Sequence, residues 1–292
     1  MDATLSPELK SSLHSFQIDE ISSYHTYTRL ASISKNEANR ALLKKIAQQE
    51  MIHYLIWKRY TQTDVKPNQS KVRFYYWISK LFGLTFGVKL MEKGEEKAQV
   101  DYRHHLEALP EIEQVLQEEE VHEKELLDMF DEESLRYAGS VVLGLNDALV
   151  ELTGALAGLT LAFQNTRLIA LAGLITGISA SLSMAASEYL STKAEGGEQN
   201  PNKSALYTGI TYVITVLALI APYFILRNYI LCLVTTIAIA IVIIAFFNYY
   251  ISIAKDLPFR KRFAEMSAIS LGVAALSFFI GYLIRNTLGI NI

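Results

Sequence analysis

The sequence predicts an all-α protein in two parts, a water-soluble four-helix bundle followed by five membrane-spanning helices. Two observations predict this division. Residues 1–137 contain 18 of the 27 lysines and arginines, 23 of the 30 aspartates and glutamates, and all six histidines. Residues 138–292 contain only 9 basic and 7 acidic residues, among long apolar runs. We therefore expect an acidic soluble domain at 1–137 and a membrane domain at 138–292.

Four helices are expected in the soluble domain. Apolar residues there recur at helical spacing, and no alternating strand-like run competes with them. Breaks fall near 31–35, 61–71 and 109–110. The predicted helices span about 7–32, 36–61, 72–108 and 111–133. Four consecutive helices with short connections predict a four-helix bundle.

The start of the third predicted helix, RFYYWISKLFGLTFGVKL, is both aromatic and basic. An amphipathic segment of this composition is typical of a helix that rests on a membrane surface. The same aromatic residues are equally suited to the core of the bundle. The sequence leaves both interpretations open.

Five runs in the second part are long and apolar enough to cross a bilayer, which takes about 20 residues. They span roughly 141–163, 168–190, 205–226, 229–251 and 264–285. Basic residues are more frequent in the loops on one side, which the positive-inside rule assigns to the cytoplasm. That side receives Lys193, Lys203, Lys255, Arg260, Lys261 and Arg262, against Arg167, Arg227 and Arg285 on the other. We therefore expect a multi-pass cell-membrane protein with a cytoplasmic N-terminal domain and an external C-terminus.

Composition argues against a nucleic-acid partner and a secreted protein. No basic patch suited to nucleic acid is visible, and the N-terminus is polar rather than a cleavable signal. The one cysteine, Cys232, has no partner for an intrachain disulfide.

The soluble domain carries the pattern Glu-x-x-His twice, at Glu50/His53 and at Glu119/His122. Residues three apart share one helix face, so each pair can point into the bundle. One carboxylate from each of two helices, plus Glu-x-x-His from the other two, is the ligand set of ferritin-like di-iron proteins. The remaining candidates are Glu20 on the first helix and Glu92 or Glu95 on the third. The pattern predicts a di-iron centre, and manganese suits the same ligands.

Two tyrosines share the phase of these glutamates. Tyr27 follows Glu20 by seven residues and Tyr102 follows Glu95 by seven. Seven residues is nearly two helical turns, so each hydroxyl can orient a metal ligand on the same face. This phase favours Glu95 over Glu92 as the third-helix ligand and leaves Glu92 as an alternate. Other acidic and imidazole side chains are expected on solvated or packing surfaces, namely Glu96, Glu118, Glu120, Glu123, Glu125, His14, His25, His104 and His105.

The first two membrane segments contain ionisable residues, which are costly in hydrocarbon and therefore point to function. Asp147 and Glu151 are four apart and share a helix face, as do Met184 and Glu188. Proximity to the helix ends, where such side chains reach water, is the alternative explanation. Carboxylate plus thioether suits a divalent transition metal. We therefore favour a polar track for a cation.

The runs GLNDALVELTGALAG and SLSMAASEYLSTKAE resemble the first two membrane helices of the vacuolar iron transporter family, and the resemblance extends over about 138–290. It implies five transmembrane helices, a homodimer, and exchange of Fe2+ or Mn2+ for protons. It also implies that Asp147 and Met184 stand on the translocation path, with Glu151 and Glu188 nearby as ligands or proton acceptors. Many family members carry a long Glu-rich segment between the second and third membrane helices. Here that connection is only about 190–204, so if metal is collected in the cytoplasm, another part of the chain must do it.

Residues of about 8–132 resemble the rubrerythrin branch of the ferritin-like superfamily through the two Glu-x-x-His motifs. No cysteine pair is present for the rubredoxin-type iron centre of some rubrerythrins. The complete chain resembles the membrane-bound ferritins. Two functions follow as expectations: export of Fe2+ or Mn2+ collected by the bundle, or a membrane-anchored ferroxidase or peroxide-scavenging enzyme.

Overall fold

The computed structural model describes residues 7–103, 109–128, 137–197 and 199–288, except for the side chains of 96–103, 127–128 and 288. Throughout these residues the only regular secondary structure is helical, which confirms the all-α prediction. The chain divides into two compact units, residues 1–132 and 133–292.

The described part of the first unit contains five helices. They are α1 (Pro7–Ile33), α2 (Glu37–Thr61), α3 (Gln69–Phe82), α4 (Leu84–Arg103) and α5 (Pro110–Asp128). α1 and α2 pack against each other as a hairpin. α2 begins after Asn36, whose side chain accepts hydrogen bonds from the backbone N–H groups of Ala38 and Asn39 at 2.8 and 3.3 Å. Such an N-cap satisfies amides that have no partner inside the helix. The predicted helix ends at 104–108 and 129–133 lie outside the described residues.

The prediction of one continuous helix over 72–108 is wrong, because the chain breaks at Gly83 between α3 and α4. Gly83 has φ of 96° and ψ of 151°. A residue with a Cβ rarely adopts positive φ, whereas glycine does so without steric penalty. Helical periodicity in the sequence continues across this position, so the pattern alone did not reveal the break.

After Gly83 the chain folds back on itself. A Cβ placed on Gly87 would lie 1.8 Å from Oγ of Ser79, and one placed on Gly94 would lie 3.1 Å from the Tyr75 hydroxyl. Each pair joins a residue before Gly83 to one after it, and the pair further from Gly83 along the helices is also the longer in sequence. α3 and α4 therefore form a tight antiparallel hairpin, with α3 also packed against α1.

The core of the first unit has apolar ends and a polar middle. One buried apolar cluster includes Leu13, Phe16, Trp57, Ile112 and Val115. A second buried cluster includes Leu30, Leu43, Ile46, Met91 and Leu126. On each of α1, α2 and α5 the buried acidic and imidazole side chains lie between the positions that form these clusters. The first unit therefore holds ionisable groups between two apolar clusters, away from water.

Where the structure describes the second unit, it contains five helices that are long and apolar enough to span a membrane. They are α6 (Ala138–Phe163), α7 (Thr166–Glu195), α8 (Pro201–Ile225), α9 (Tyr229–Ala254) and α10 (Phe259–Leu288). Helices of 25 to 30 residues are about 38–45 Å long, which exceeds the roughly 30 Å of bilayer hydrocarbon. In length and composition they confirm the prediction of five spans. Three of them begin after a capping asparagine, at Asn165, Asn200 and Asn228.

α6 lies at the centre of the second unit and contacts the other four helices. Glycines allow the closest approaches. A Cβ on Gly144 would lie 2.4 Å from the backbone oxygen of Thr208, and a Cβ on Gly281 would lie 2.4 Å from the backbone oxygen of Gly158. Small residues at such crossings let membrane helices pack backbone to backbone. This packing fixes the position of the acidic residues on α6.

Candidate metal centre

Three helices of the first unit bring buried carboxylates and imidazoles together. Glu20 lies on α1, Glu50 and His53 on α2, and Glu119 and His122 on α5; all five side chains are buried. One possible ligand atom from each of Glu20, Glu50, His53 and Glu119 lies within 4.8 Å of the others. Among the described residues this is the one group of three or more such side chains with metal-ligand spacing. It could hold a metal ion.

His53 lies between three glutamates. Its Nδ1 atom is 3.0 Å from Oε1 of Glu119 and 3.7 Å from Oε2 of Glu20. Its Nε2 atom is 2.8 Å from Oε2 of Glu118. Burial lowers the pKa of the His53 imidazole, but the adjacent Glu119 and Glu20 carboxylates outweigh that effect and raise the pKa to about 11. The surroundings of this ring therefore strongly favour a positive charge.

His122 faces the same group from α5. Its Nδ1 atom lies 3.5 Å from Oε1 of Glu50 and 3.7 Å from Oε2 of Glu119. The His53 and His122 rings stack with centroids 5.8 Å apart. Among the described residues of this group, Oε1 of Glu50 and both ring nitrogens of His122 are buried without a hydrogen-bond partner, and Nδ1 of His53 meets carboxylates alone. Buried polar atoms are nearly always paired, so converging unpaired ligand atoms are what a bound cation would satisfy.

Glu92 and Glu95, the candidates on α4, meet at Tyr27. The Tyr27 hydroxyl donates a hydrogen bond to Oε1 of Glu92 and lies 3.4 Å from Oε2 of Glu95. Ser23 Oγ donates to Oε1 of Glu95 at 2.7 Å. Tyr27 was expected to orient a ligand, and the structure shows it bound to carboxylates of α4. The side chain of Tyr102 lies outside the described residues, as do His104 and His105.

The carboxylates of this region are crowded and dehydrated. Burial raises the pKa of Glu50 well above its usual value, and the charges of Glu119 and Glu20 raise it further. Burial, followed by the charges of Glu92 and Glu119, does the same to the pKa of Glu95. Burial also raises the pKa of Glu92, to about 7. Without a metal cation the folded unit favours protonation of these groups, since burial removes water from each charge and neighbouring carboxylates repel it.

Sequence reasoning missed two residues that contact the group. Glu118 was assigned to a solvated face, but its carboxylate binds Nε2 of His53 and its side chain is 34% exposed. Trp57 was not considered, and its Nε1 atom donates a 3.0 Å hydrogen bond to Oε1 of Glu20 while the side chain is fully buried. Glu118 directly precedes the candidate ligand Glu119, and Trp57 lies one turn after His53. These adjacencies are the signals available in the sequence.

Other acidic and imidazole residues behave in different ways. Glu120 is exposed, as expected, whereas Glu123 and Glu125 are half-buried. Glu125 forms a 2.5 Å ion pair with Lys45 of α2. His14 is exposed, and half-buried His25 packs edge-on against Tyr24 with centroids 5.0 Å apart.

The membrane unit presents its candidate residues on α6 and α7. Asp147 is half-buried and Glu151 is exposed. Glu151 accepts a 2.8 Å hydrogen bond from the hydroxyl of Tyr212 on α8. Glu188 accepts a 2.6 Å hydrogen bond from Oγ of Ser140. These contacts attach an acidic residue of α6 to α8 and an acidic residue of α7 to α6.

Met184 is half-buried and packs against the apolar core of the membrane unit. Within the described residues, Asp147, Glu151 and Glu188 do not join a group of three acidic, imidazole or thiol ligands at metal-binding spacing. Tyr212 was not identified from the sequence, although a tyrosine inside an apolar run usually has a hydrogen-bond partner.

Comparison with known proteins bears on the second unit. Residues 138–198, which include all of α6 and α7, match the sequence profile of the VIT family. A search of curated proteins gives no match. The match and the five apolar helices support a vacuolar iron transporter-like membrane domain, and with it membrane transport of metal ions.

Proposed function

We propose that the protein exports Fe2+ or Mn2+ from the cytoplasm, and that the first unit collects the ion in a ferritin-like centre. The observation that carries this proposal is the buried group formed by Glu20, Glu50, His53 and Glu119. It occurs in the same chain as a segment that matches the VIT family. A metal-binding group and a metal-transport domain in one polypeptide are best explained by a shared cargo.

The ligand chemistry fits two divalent ions. Carboxylate oxygens and imidazole nitrogens suit Fe2+ and Mn2+ and discriminate weakly between them. His53 and Glu20 would hold one ion and His122 and Glu50 the other, with Glu119 close to both imidazoles. Glu92 and Glu95 remain candidates to complete the pair, because both carboxylates are held by Tyr27. Bridging carboxylates would offset the repulsion between two cations.

The path through lipid is proposed along Asp147, Glu151, Met184 and Glu188. A carboxylate exposed within a membrane span is costly, and Glu151 is exposed in the single chain. A homodimer would remove that cost by covering the polar face at a two-fold axis. Carboxylates that release a cation can take up protons in its place, so protons are the proposed counter-ion.

Transport is tested with the full chain in proteoliposomes. A pH gradient should drive Mn2+ flux, or Fe2+ flux under anaerobic conditions. The Asp147→Asn and Met184→Ala variants should each lose most of that flux. Glu265→Gln is the matched control, because this exposed carboxylate near the start of α10 lies 4.0 Å from Lys261 and lies off the proposed path. Undiminished flux in both path variants would contradict the path.

If the first unit collects the metal, a change in that unit should alter the metal dependence of transport. Loss of a buried ligand in Glu50→Gln should raise the metal concentration needed for half-maximal flux and leave the maximal rate nearly unchanged. A residue on the path itself would instead lower the maximal rate. The exposed imidazole of His14 gives the control variant His14→Ala. If Glu50→Gln and wild type reached half-maximal flux at the same metal concentration, the first unit would not collect the transported metal.

A second function, oxidation of Fe2+ at the same group, is favoured by its charge. The region holds five glutamates, at 20, 50, 92, 95 and 119, against two imidazoles. An excess of anionic oxygen ligands stabilises Fe3+ more than Fe2+, because the higher charge gains more from each carboxylate. Hydrogen peroxide would accept one electron from each of two Fe2+ ions, its O–O bond would break, and two protons would convert the resulting hydroxides into two water molecules. Peroxide-dependent formation of Fe3+ by the full chain, lost in Glu50→Gln, supports this alternative; binding without oxidation excludes it.

A further inference from the structure

α3 has two apolar faces, and only one of them is covered by the bundle. The buried residues recur three and four positions apart and are Val72, Tyr75 and Ser79. On the opposite face, Phe74 and Trp77 are each 53% exposed and Leu81 is 70% exposed. The outer face of a helix in a soluble bundle is normally polar. Here three large apolar side chains, spaced by three and four residues, point outward together.

Exposed cations flank this apolar face. Lys66, Arg73 and Lys80 are exposed, and within the described residues none of them forms an ion pair. The Nζ atom of Lys80 lies 5.0 Å from the centre of the Trp77 ring. No acidic residue occurs between Asp64 and Glu92. The first unit is acidic in total, so this basic segment is a local reversal of its charge.

We propose that the exposed face of α3 binds the surface of an anionic lipid bilayer. Phe74, Trp77 and Leu81 would enter the boundary between headgroups and acyl chains, where tryptophan is favoured. Lys66, Arg73 and Lys80 would lie on the lipid phosphates, whose negative surface potential attracts basic residues. The chain is anchored in a bilayer by its second unit, so this partner is always present. Anionic lipid matches both the apolar and the cationic part of the face.

Charge favours lipid over a second copy of the chain as the occupant. A two-fold symmetric contact places the same surface patch of both copies against each other. Lys66, Arg73 and Lys80 of one copy would then face the same three cations of the other. No acidic side chain on α3 is present to offset that repulsion. The same cations become favourable contacts against lipid phosphates.

Tryptophan fluorescence of the full chain tests the proposal directly. The chain has two tryptophans, of which Trp57 is fully buried and Trp77 is 53% exposed. The protein is placed in nanodiscs whose lipids carry bromine on the acyl chains, which quenches nearby tryptophan. We expect strong quenching in phosphatidylglycerol discs, weak quenching in phosphatidylcholine discs, and none in the Trp77→Phe variant. Equal quenching in both lipids would overturn the requirement for anionic headgroups.

Charge variants test whether these three cations hold the face of α3 on the bilayer. Each basic residue at an anionic surface changes binding about fivefold. The triple variant K66Q/R73Q/K80Q should therefore shift the balance between the docked and undocked states about a hundredfold and abolish quenching. High salt should weaken the wild-type signal in the same direction.

The matched control removes three exposed lysines from α1, α2 and the loop between them, as K10Q/K35Q/K44Q. It carries the same change in net charge and should quench as wild type does. Loss of quenching in the control as well would contradict a specific face. Protection of Trp77 from aqueous acrylamide that appears only when two copies share a disc, without quenching by brominated lipid, would assign the face to a second copy and overturn the proposal.

Discussion

The Nε2 atom of His53 lies 2.8 Å from Oε2 of Glu118, and this contact sets which ring nitrogen faces the buried carboxylates. If a metal ion displaced the proton on Nδ1, the Glu118 carboxylate at Nε2 would hold the remaining ring proton and leave the Nδ1 lone pair for the ion. Nδ1 is the atom that approaches Glu119 and Glu20, at 3.0 and 3.7 Å. In the proposed metal centre, Glu118 would therefore orient His53 toward the ion without being a ligand itself.

Removing Glu118 should weaken metal binding. Residues that orient a ligating histidine typically change metal affinity 10- to 100-fold when they are mutated. We expect a loss of about that size for Mn2+ in full-length Glu118→Ala, measured by competition with a chromogenic chelator. Glu120→Ala removes an exposed carboxylate from the same helix and should bind as wild type does. Equal Mn2+ affinities in the two variants would show that Glu118 does not orient His53 for metal binding.

Replacing Glu50 should raise the stability of the metal-free protein and weaken its binding of metal. Its carboxylate is buried among other carboxylates, so the neutral amide in Glu50→Gln relieves dehydration and repulsion. We expect the metal-free variant to melt a few degrees higher than wild type. Saturating Mn2+ should raise the melting temperature of wild type, since a ligand at 100 times its Kd adds about 2.7 kcal/mol, and should raise that of the variant much less. The exposed Glu113 provides the control Glu113→Gln, and a Glu50→Gln variant stabilised by metal like wild type would exclude Glu50 as a ligand.

The metal-free first unit should lose stability as pH rises. The pKa values of Glu50 and Glu95 lie well above normal in the folded state, and that of Glu92 is about 7. The unfolded chain titrates its glutamates near 4.3, so between those values the folded state holds more protons. Stability then falls with pH in this window. Thermal unfolding between pH 5 and 8 should show this decline for metal-free protein and a smaller one with Mn2+ bound; a rise with pH would contradict the burial of these groups.

Helical periodicity was sufficient to predict that the two Glu-x-x-His motifs lie close together. Residues three apart share a helix face whatever surrounds the helix, so Glu50/His53 and Glu119/His122 point together once each helix presents that face inward. The contact between His53 and Glu118 depends instead on the distance between α2 and α5. No pattern within either helix contains that distance. The same holds for the contact of Trp57 on α2 with Glu20 on α1.

The break at Gly83 was hidden for a related reason. The residues on both sides of it favour helix, and an isolated glycine is tolerated inside a helix. The fold-back is decided by contacts between α3 and α4, such as the close approach of Gly87 to Ser79. Apolar periodicity predicts that a helix exists, but it does not predict where tertiary packing divides it.

Tyr212 should support transport by positioning the Glu151 carboxylate. Its hydroxyl donates a 2.8 Å hydrogen bond to that carboxylate, and Tyr212→Phe removes the donor while keeping the ring. We expect proteoliposome flux of Mn2+ to fall several-fold, with little change in melting temperature. Tyr249→Phe, which alters an exposed tyrosine of α9, is the control. Normal flux in Tyr212→Phe would show that Glu151 needs no positioning from α8.

Gly144 should tolerate no side chain, because the backbone of α8 lies directly against it. A Cβ at this position would lie 2.4 Å from the backbone oxygen of Thr208, and backbone cannot move aside as a side-chain tip can. We expect Gly144→Ala to destabilise the protein by about 1–3 kcal/mol, seen as a lower melting temperature in detergent, and to reduce flux because Asp147 lies one turn further along α6. Gly272→Ala is the matched control, since a Cβ there meets nothing within 4 Å. Alanine is the better helix former by about 1 kcal/mol, so the control should be as stable as wild type or more so, and equal melting of the two variants would refute the close crossing.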